Sequence, residues 1–132
     1  MKLATFSNGS DPTPRLGVVR DGGMIDLSVV PDAPVSMRQY LAAGGGAAER
    51  IAAAASRSAG SLLPLDSVRL HAPVPHPGKV LAIGLNYGDH IEESGMERPQ
   101  TQVWFNKQHN CINDPYGDIN LDINKPSFLE VD

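Results

Sequence analysis

Short apolar runs separated by turn residues fill the beginning of the chain. Lys2–Phe6, Arg15–Arg20 and Met24–Leu27 are such runs, and each predicts a short β-strand. Asparagine, glycine and aspartate at positions 8–9 and 21–23 are typical of the tight turns that join antiparallel strands. The pattern therefore predicts a small β-meander.

Two helices are predicted after the meander. The first spans 36–43, because Ser36 suits an N-cap and Gln39 stands at the spacing of a capping box. The residues expected on its apolar face are Met37, Tyr40 and Leu41. The second spans 47–59 and is rich in alanine; since Ile51 gives it little to bury, we expect it at the periphery.

Prolines at alternate positions from 73 to 77 hold the next stretch extended, because each proline fixes its own φ and lacks an N–H donor. Such a stretch predicts a boundary between a small N-terminal domain, 1–72, and a second part, 73–132. His71 and His76 lie at this boundary. Five residues apart on an extended chain, they do not converge on a metal ion, so we expect both to lie on a linker surface.

A polar cluster follows the apolar run Val80–Leu85, which predicts a buried strand. Its members are Asn86, Tyr87, Asp89, His90, Glu92 and Glu93. On a helical turn His90 and Glu93 share a face, so the carboxylate can orient the imidazole, which can then take a proton as a general base. The alternative is that Asp89 caps a short helix and His90 is an ordinary surface residue.

The stretch from His71 to Gly95 resembles the start of the catalytic domain of the fumarylacetoacetate hydrolase family. The matching positions are Pro73, Pro75, Pro77, Gly78, Lys79, Gly84, Asn86, Tyr87, Asp89, His90 and Glu93. Downstream, the chain is similar to the family's Phe-x-Lys strand, the turn after it and a second strand, here Phe105, Lys107, Cys111, Pro115, Tyr116, Asp118 and Ile119. The first 70 residues resemble the family's N-terminal domain only loosely.

The resemblance implies an α+β, β-rich fold, in which a small N-terminal α/β domain precedes the first strands of a mixed β-roll. Residues 73–132 would then hold only the beginning of the catalytic domain. Family members cleave a carbon–carbon bond beside a carbonyl in a small β-diketo or β-keto acid. The same scaffold hosts decarboxylases, hydratases, tautomerases and ureidoglycolate lyases, so the fold does not name the substrate.

The resemblance also implies roles for single residues. His90 would be the catalytic base, and Glu93 would hold it. Asn86, Tyr87 and Lys107 would bind substrate. Such a segment is a lid in many enzymes, so we expect residues 87–98 to be mobile, and His90 and Glu93 to be apart, when no ligand is bound.

Family members bind Mg²⁺, or alternatively Mn²⁺ or Ca²⁺, through a Glu-x-Glu pair and a later Asp. Two registers are open here: either Glu130 and Asp132 form the pair, or Val131 and Asp132 lead into a pair that the sequence does not contain. The second is favoured, because a ligand at a frayed terminus is poorly fixed. The metal ligands are therefore unassigned, and the 132-residue chain is expected to lack a complete metal site.

Composition narrows the class of function. The net charge of −4 argues against nucleic acid. The longest stretch of low polarity, 44–55, contains Glu49 and Arg50 and falls short of the ~20 apolar residues that a membrane span needs. No secretory signal follows Met1, so the cytoplasm is the expected location. The single cysteine, Cys111, fits a reducing compartment, and we expect it to be packed rather than a nucleophile.

The first strands of a β-roll would leave open edges and an uncovered apolar face. We therefore expect a homodimer with residues 79–121 at the interface, besides a small keto acid as substrate. The chain is either a truncated form of a longer enzyme or a short protein that survives by association. A rival hypothesis is a non-catalytic association module, which the incomplete metal site favours and the intact polar cluster at 86–93 disfavours.

Overall fold

Five strands from the first 70 residues form one antiparallel sheet in the computed structural model, which describes residues 1–57 and 62–119. The strands lie in the spatial order β4-β3-β2-β1-β5. Their bounds are Lys2–Asn8 for β1, Asp11–Arg20 for β2, Gly23–Asp26 for β3, Leu63–Pro64 for β4 and Val68–Leu70 for β5. The predicted meander, β1-β2-β3, is confirmed.

The turn between β2 and β3 explains why these two strands pair tightly. Arg20 is opposite Gly23, and the two residues between them, Asp21 and Gly22, have φ of 49° and 75°. Positive φ at both central positions is what a type I′ hairpin turn requires, and Asp-Gly is among its favoured sequences. Strand β2 also begins earlier than predicted, at Asp11, which pairs with Asn8 of β1. Pro12 and Pro14 are tolerated on its other side, because β3 pairs with β2 only from Gly17 onward and needs no N–H donors before that residue.

Three helices are present among the described residues: α1 at Met37–Ala42, α2 at Ala47–Arg57 and α3 at Gly88–Ser94. The N-cap of α1 is as predicted, since Ser36 Oγ accepts a hydrogen bond from the Gln39 N–H at 3.2 Å. Met37 and Tyr40 pack against the core, but Leu41 is 61% exposed, so its assignment to the apolar face was wrong. None of these helices has the length and apolar character needed to cross a membrane.

Helix α2 belongs to the core, which overturns the prediction that it is peripheral. Ile51 is 1% exposed and Ala55 4%, and both lie in one cluster with Leu16, Val18, Ile25 and Leu27 of the sheet and the turn after it. Ala47, Ile51 and Ala55 are spaced by four residues, so they form a single stripe along the helix. Small alanine side chains let the helix backbone approach the sheet closely, and one isoleucine then suffices to fill the contact.

Substitution Ile51→Ala is expected to lower the free energy of unfolding by about 2–5 kcal/mol, because it leaves a cavity between α2 and the sheet. Urea denaturation measures the loss. Leu41→Ala on the neighbouring helix is the control, since that side chain is 61% exposed and its truncation should change stability by less than about 0.5 kcal/mol. Equal effects of the two substitutions would contradict the packing of α2.

A buried ion pair links β2 to the end of β3. Arg15, 7% exposed, donates from Nε to Asp26 Oδ2 at 2.7 Å, and its guanidinium lies 4.6 Å from the centroid of the Phe6 ring. Asp26 also accepts from the N–H and the hydroxyl of Ser28 and so caps the 3₁₀ turn that follows β3. Burial raises the pKa of Asp26, but the hydrogen bonds from Ser28 and Arg15 outweigh it and hold the pKa below its usual range.

Asp26→Asn should destabilise the protein by about 1.5–3 kcal/mol at pH 7, the usual worth of hydrogen bonds to a charged group. Because the folded-state pKa of Asp26 lies below the unfolded value, its contribution is complete above about pH 4 and is lost as pH falls through the folded-state pKa. The difference in unfolding free energy between wild type and variant should therefore be constant from pH 7 to about pH 5 and should shrink progressively as pH falls below about 4.

The matched control is Asp21→Asn. Asp21 pairs with Arg20 at 3.4 Å, but both side chains are largely exposed, so this substitution should cost less than about 1 kcal/mol at every pH. A pH-independent difference between wild type and Asp26→Asn would show that charge at position 26 does not matter.

A separate two-stranded hairpin follows the proline segment. It consists of β6, Val80–Gly84, and β7, Val103–Lys107, paired antiparallel with Ala82 opposite Phe105. Both faces carry exposed apolar side chains: Leu81 and Trp104 are each 57% exposed on one face, and Phe105 is 44% exposed on the other. The expected uncovered apolar surface is thus present, whereas the prediction that β6 is buried is wrong for the described residues. The α+β class is confirmed, and the mixed β-roll stays a prediction.

Candidate functional site

The candidate site lies where β6 turns into α3. Strand β6 ends at Gly84, which is opposite Val103 of β7 and lies beside the Phe105 ring. The next residue, Leu85, has φ of 51°, a conformation that residues with a branched side chain seldom adopt. Tyr87 then forms the N-cap of α3 through its backbone. This sharp change of direction brings the polar cluster to the surface directly after the strand.

Helix α3 is short and has one buried anchor. Ile91 is 9% exposed, whereas the residues on either side of it are exposed. The helix ends at Gly95, which has φ of 63° and donates its N–H to the Glu92 carbonyl at 3.2 Å, as a left-handed C-cap does. Asp89 lies in the first turn of α3 and is not its cap, so the alternative interpretation of Asp89 was wrong.

His90 and Glu93 both lie on α3 and both are exposed. Three residues apart on a helix, their Cβ atoms are neighbours at about 5–6 Å. No hydrogen bond or ion pair connects them in the described part of the chain. The helix therefore places an imidazole and a carboxylate side by side and in reach of solvent, and a rotation of either side chain would bring them together.

The three residues expected to bind substrate are not all together. Asn86 and Tyr87 directly precede α3, and Tyr87 is 75% exposed. Lys107 is opposite Val80, whereas Gly84, which leads into α3, is opposite Val103. Four strand positions correspond to about 13 Å, so Lys107 lies at the end of the hairpin that is remote from His90. Its ammonium group is 5.9 Å from the Phe105 ring centroid.

Other residues that the sequence singled out lie outside this junction. His76 is exposed, as expected for a linker. His71 is not a linker residue: its side chain is 12% exposed and bonded on both nitrogens, to Ser7 and Asp114. Its partners are 64 and 43 residues away in the sequence, so local spacing carries no signal for them. Cys111 is exposed rather than packed, in a 3₁₀ turn that it shares with His109.

Similarity to known proteins extends over nearly the whole chain. A mitochondrial oxaloacetate tautomerase of Xenopus laevis is 35% identical over 124 residues, which cover 92% of this chain and 39% of the relative. A human mitochondrial oxaloacetate tautomerase is 33% identical over 135 residues, covering 100% and 42%. A fumarylacetoacetate hydrolase domain-containing protein 2 homolog of Dictyostelium discoideum is 30% identical over 122 residues, covering 90% and 40%.

The chain belongs to the fumarylacetoacetate hydrolase family. No family profile matches the sequence. The chain spans about two fifths of the length of the relatives it matches. Two of the relatives are named as mitochondrial, and their names lend no support to the cytoplasmic location expected above.

A metal ion of the kind expected for this family does not fit the described residues on their own. Within 1–57 and 62–119, no three histidine, cysteine, aspartate or glutamate side chains are grouped closely enough to hold an ion. Glu130 and Asp132, the two candidates from the sequence, lie outside the described residues.

The 132-residue chain is expected to bind Mg²⁺ no better than a generic acidic surface, because the grouped carboxylates that a divalent cation requires are missing from its described part. Isothermal titration calorimetry with MgCl₂ measures this. Dissociation constants in the low micromolar range with one ion per chain would contradict the expectation, and loss of that binding in Glu130→Gln would then identify a ligand.

Proposed function

We propose that the protein containing this chain is an enzyme that transfers a proton on a small β-keto acid, interconverting the keto and enol forms. The observation that carries the proposal is the placement of His90 and Glu93 on one exposed turn of helix, directly after the strand β6. Relatives named as oxaloacetate tautomerases support a four-carbon dicarboxylic keto acid as the substrate.

The proposed step needs one base and one group to hold it. An imidazole nitrogen of His90 removes a proton from the carbon between the carbonyl and the carboxylate of the substrate, and the electron pair moves onto the keto oxygen. The imidazolium then returns the proton to that oxygen, which gives the enol and restores the neutral base. Glu93 supplies negative charge beside the ring, which favours the imidazolium in the middle of the step.

Substrate recognition is proposed for the residues just before α3. Asn86 offers an amide and Tyr87 a phenol, and both are exposed beside the first turn of the helix. These groups can donate hydrogen bonds to a substrate carboxylate without adding charge. Lys107 lies about 13 Å away along the hairpin, so it would contact the substrate only after a change in its surroundings.

Cleavage of a carbon–carbon bond is the second candidate function. The exposure of His90 supports it, since a base in contact with solvent can take its proton from water instead of from substrate. Addition of the resulting hydroxide to the keto carbon of oxaloacetate would be followed by cleavage of the bond to the CH₂ carbon, which leaves with the electron pair and takes the proton back from the His90 imidazolium. The products would be oxalate and acetate. Product analysis separates the two functions, because a tautomerase releases neither.

His90→Ala in the full-length enzyme should lower turnover by about 10²- to 10⁴-fold, the usual worth of general-base catalysis, because the alanine cannot accept the proton. Glu93→Gln should lose less, since the amide keeps the shape of the side chain but not its charge. Uptake of deuterium from D₂O at the substrate carbon, followed by NMR, measures the proton transfer directly.

Glu92→Gln is the matched control: the side chain is exposed on the same helix, one position from Glu93, and turnover should stay within about twofold of wild type. Wild-type exchange rates in His90→Ala would exclude His90 as the base. Equal losses in the two glutamine variants would show that Glu93 acts through general charge and not by holding the imidazole.

A further inference from the structure

A continuous set of hydrogen bonds runs from strand β1 through His71 to the turn after β7. The Ser7 hydroxyl and Nε2 of His71 are 2.8 Å apart, and Nδ1 of His71 is 3.2 Å from Oδ2 of Asp114. The backbone N–H of His71 donates to the Thr5 carbonyl at 2.9 Å and so fixes the histidine to the edge of the sheet. Each ring nitrogen of His71 therefore has a hydrogen-bond partner, Ser7 of β1 for Nε2 and Asp114 after β7 for Nδ1.

Asp114 receives further hydrogen bonds from the same edge of the sheet. Arg69 of β5 donates to Oδ2 at 2.9 Å, and the N–H of Ala72 donates to Oδ1 at 3.2 Å. Burial raises the pKa of Asp114, but the hydrogen bonds from Arg69 and Ala72 and the nearby His71 outweigh it and hold the pKa below its usual range. Asp114 is therefore a carboxylate at neutral pH, and its hydrogen-bond partners are three residues of one short segment, Arg69, His71 and Ala72.

The connectivity of Ser7, His71 and Asp114 resembles that of a hydrolase triad, but the surroundings of the serine differ from what such chemistry needs. Ser7 is 5% exposed and lies within β1, opposite Arg69 of β5. A nucleophile must meet the carbonyl carbon of its substrate, and a hydroxyl enclosed in a sheet cannot do so. The arrangement is therefore suited to holding two parts of the protein together.

We propose that Ser7, His71 and Asp114 form a latch that seats the turn after β7 on the edge of the N-terminal sheet and thereby fixes the orientation of the β6–β7 hairpin. The sheet hydrogen bonds of β7 are made to β6, and Asp114 follows β7 by seven residues. Since β6 leads directly into α3, the latch makes the N-terminal sheet a positioning element for the junction that carries His90. This role of the latch is the same whether the junction performs proton transfer or another reaction.

Amide hydrogen exchange on the full chain tests the contact itself. In Asp114→Ala, the Ala72 N–H loses its acceptor and should exchange at least tenfold faster, whereas the His71 N–H, bonded to the Thr5 carbonyl, should change less than twofold. Asp118→Ala is the control, because Asp118 is an exposed carboxylate near the same turn. Unchanged exchange at Ala72 in Asp114→Ala would overturn the latch.

Residual dipolar couplings test the orientation of the hairpin relative to the five-stranded sheet. Loss of a purely local contact would leave that orientation unchanged. Wild type and Asp118→Ala should fit a single alignment tensor for the five-stranded sheet and the hairpin together, whereas Asp114→Ala and His71→Leu should require two. A single tensor in the latter variants would overturn the positioning role.

Treatment of wild type with a serine-reactive fluorophosphonate tests the rival role of these residues. Absence of a covalent adduct on Ser7 is expected for a latch. An adduct on Ser7 that disappears in His71→Leu would replace the latch by a hydrolytic triad.

Discussion

The contact between α2 and the sheet is the constraint on which the other elements depend. Ile51 and Ala55 close the core formed by Leu16 and Leu27, and without them one face of the meander would be open to water. A sheet stabilised in this way presents a fixed edge at β1 and β5. His71 is anchored to that edge through the Thr5 carbonyl, so its position depends on the packing around Ile51.

The candidate site combines a rigid start with an exposed end. Gly84 ends β6 in register with β7, Leu85 turns the chain with a positive φ, and Ile91 is the buried residue of α3 while its neighbours face solvent. Backbone conformations that are unfavourable for a leucine persist only where the surroundings enforce them, and they are common at functional sites. The unusual conformation of Leu85 therefore supports the assignment of the junction, independently of the residues that the junction carries.

Sequence reasoning succeeded where the signal is local. The turn at Asp21, the cap at Ser36 and the helical turn around His90 each depend on residues within about four positions, and all three are found as predicted. The same reasoning judged α2 by its composition and missed that alanines spaced by four form a packing stripe around Ile51. That spacing was readable in the sequence, whereas hydrophobicity alone gave no reason to expect a buried helix.

Long-range contacts explain the remaining errors. The sequence alone predicts a linker residue at His71. Its partner Asp114 is 43 positions away, and no periodicity connects the two residues. The exposure of Leu81 has a related origin, since an apolar strand predicts burial but does not say which part of the protein provides it. Both cases concern the relation between the N-terminal sheet and the hairpin, which depends on tertiary contacts and not on local propensity.

The two proposed reactions have in common the need for a base at the position of His90. A tautomerase stops once the proton has moved, whereas a hydrolase continues by breaking the neighbouring carbon–carbon bond after water has been activated by the same kind of base. A base at His90, as proposed, would suit either outcome, and the difference between the reactions would come from groups that bind the substrate and admit or exclude water. Asn86 and Tyr87 directly precede α3 and are the residues to which we assign substrate recognition, so the proposal places part of the choice between the two reactions on them.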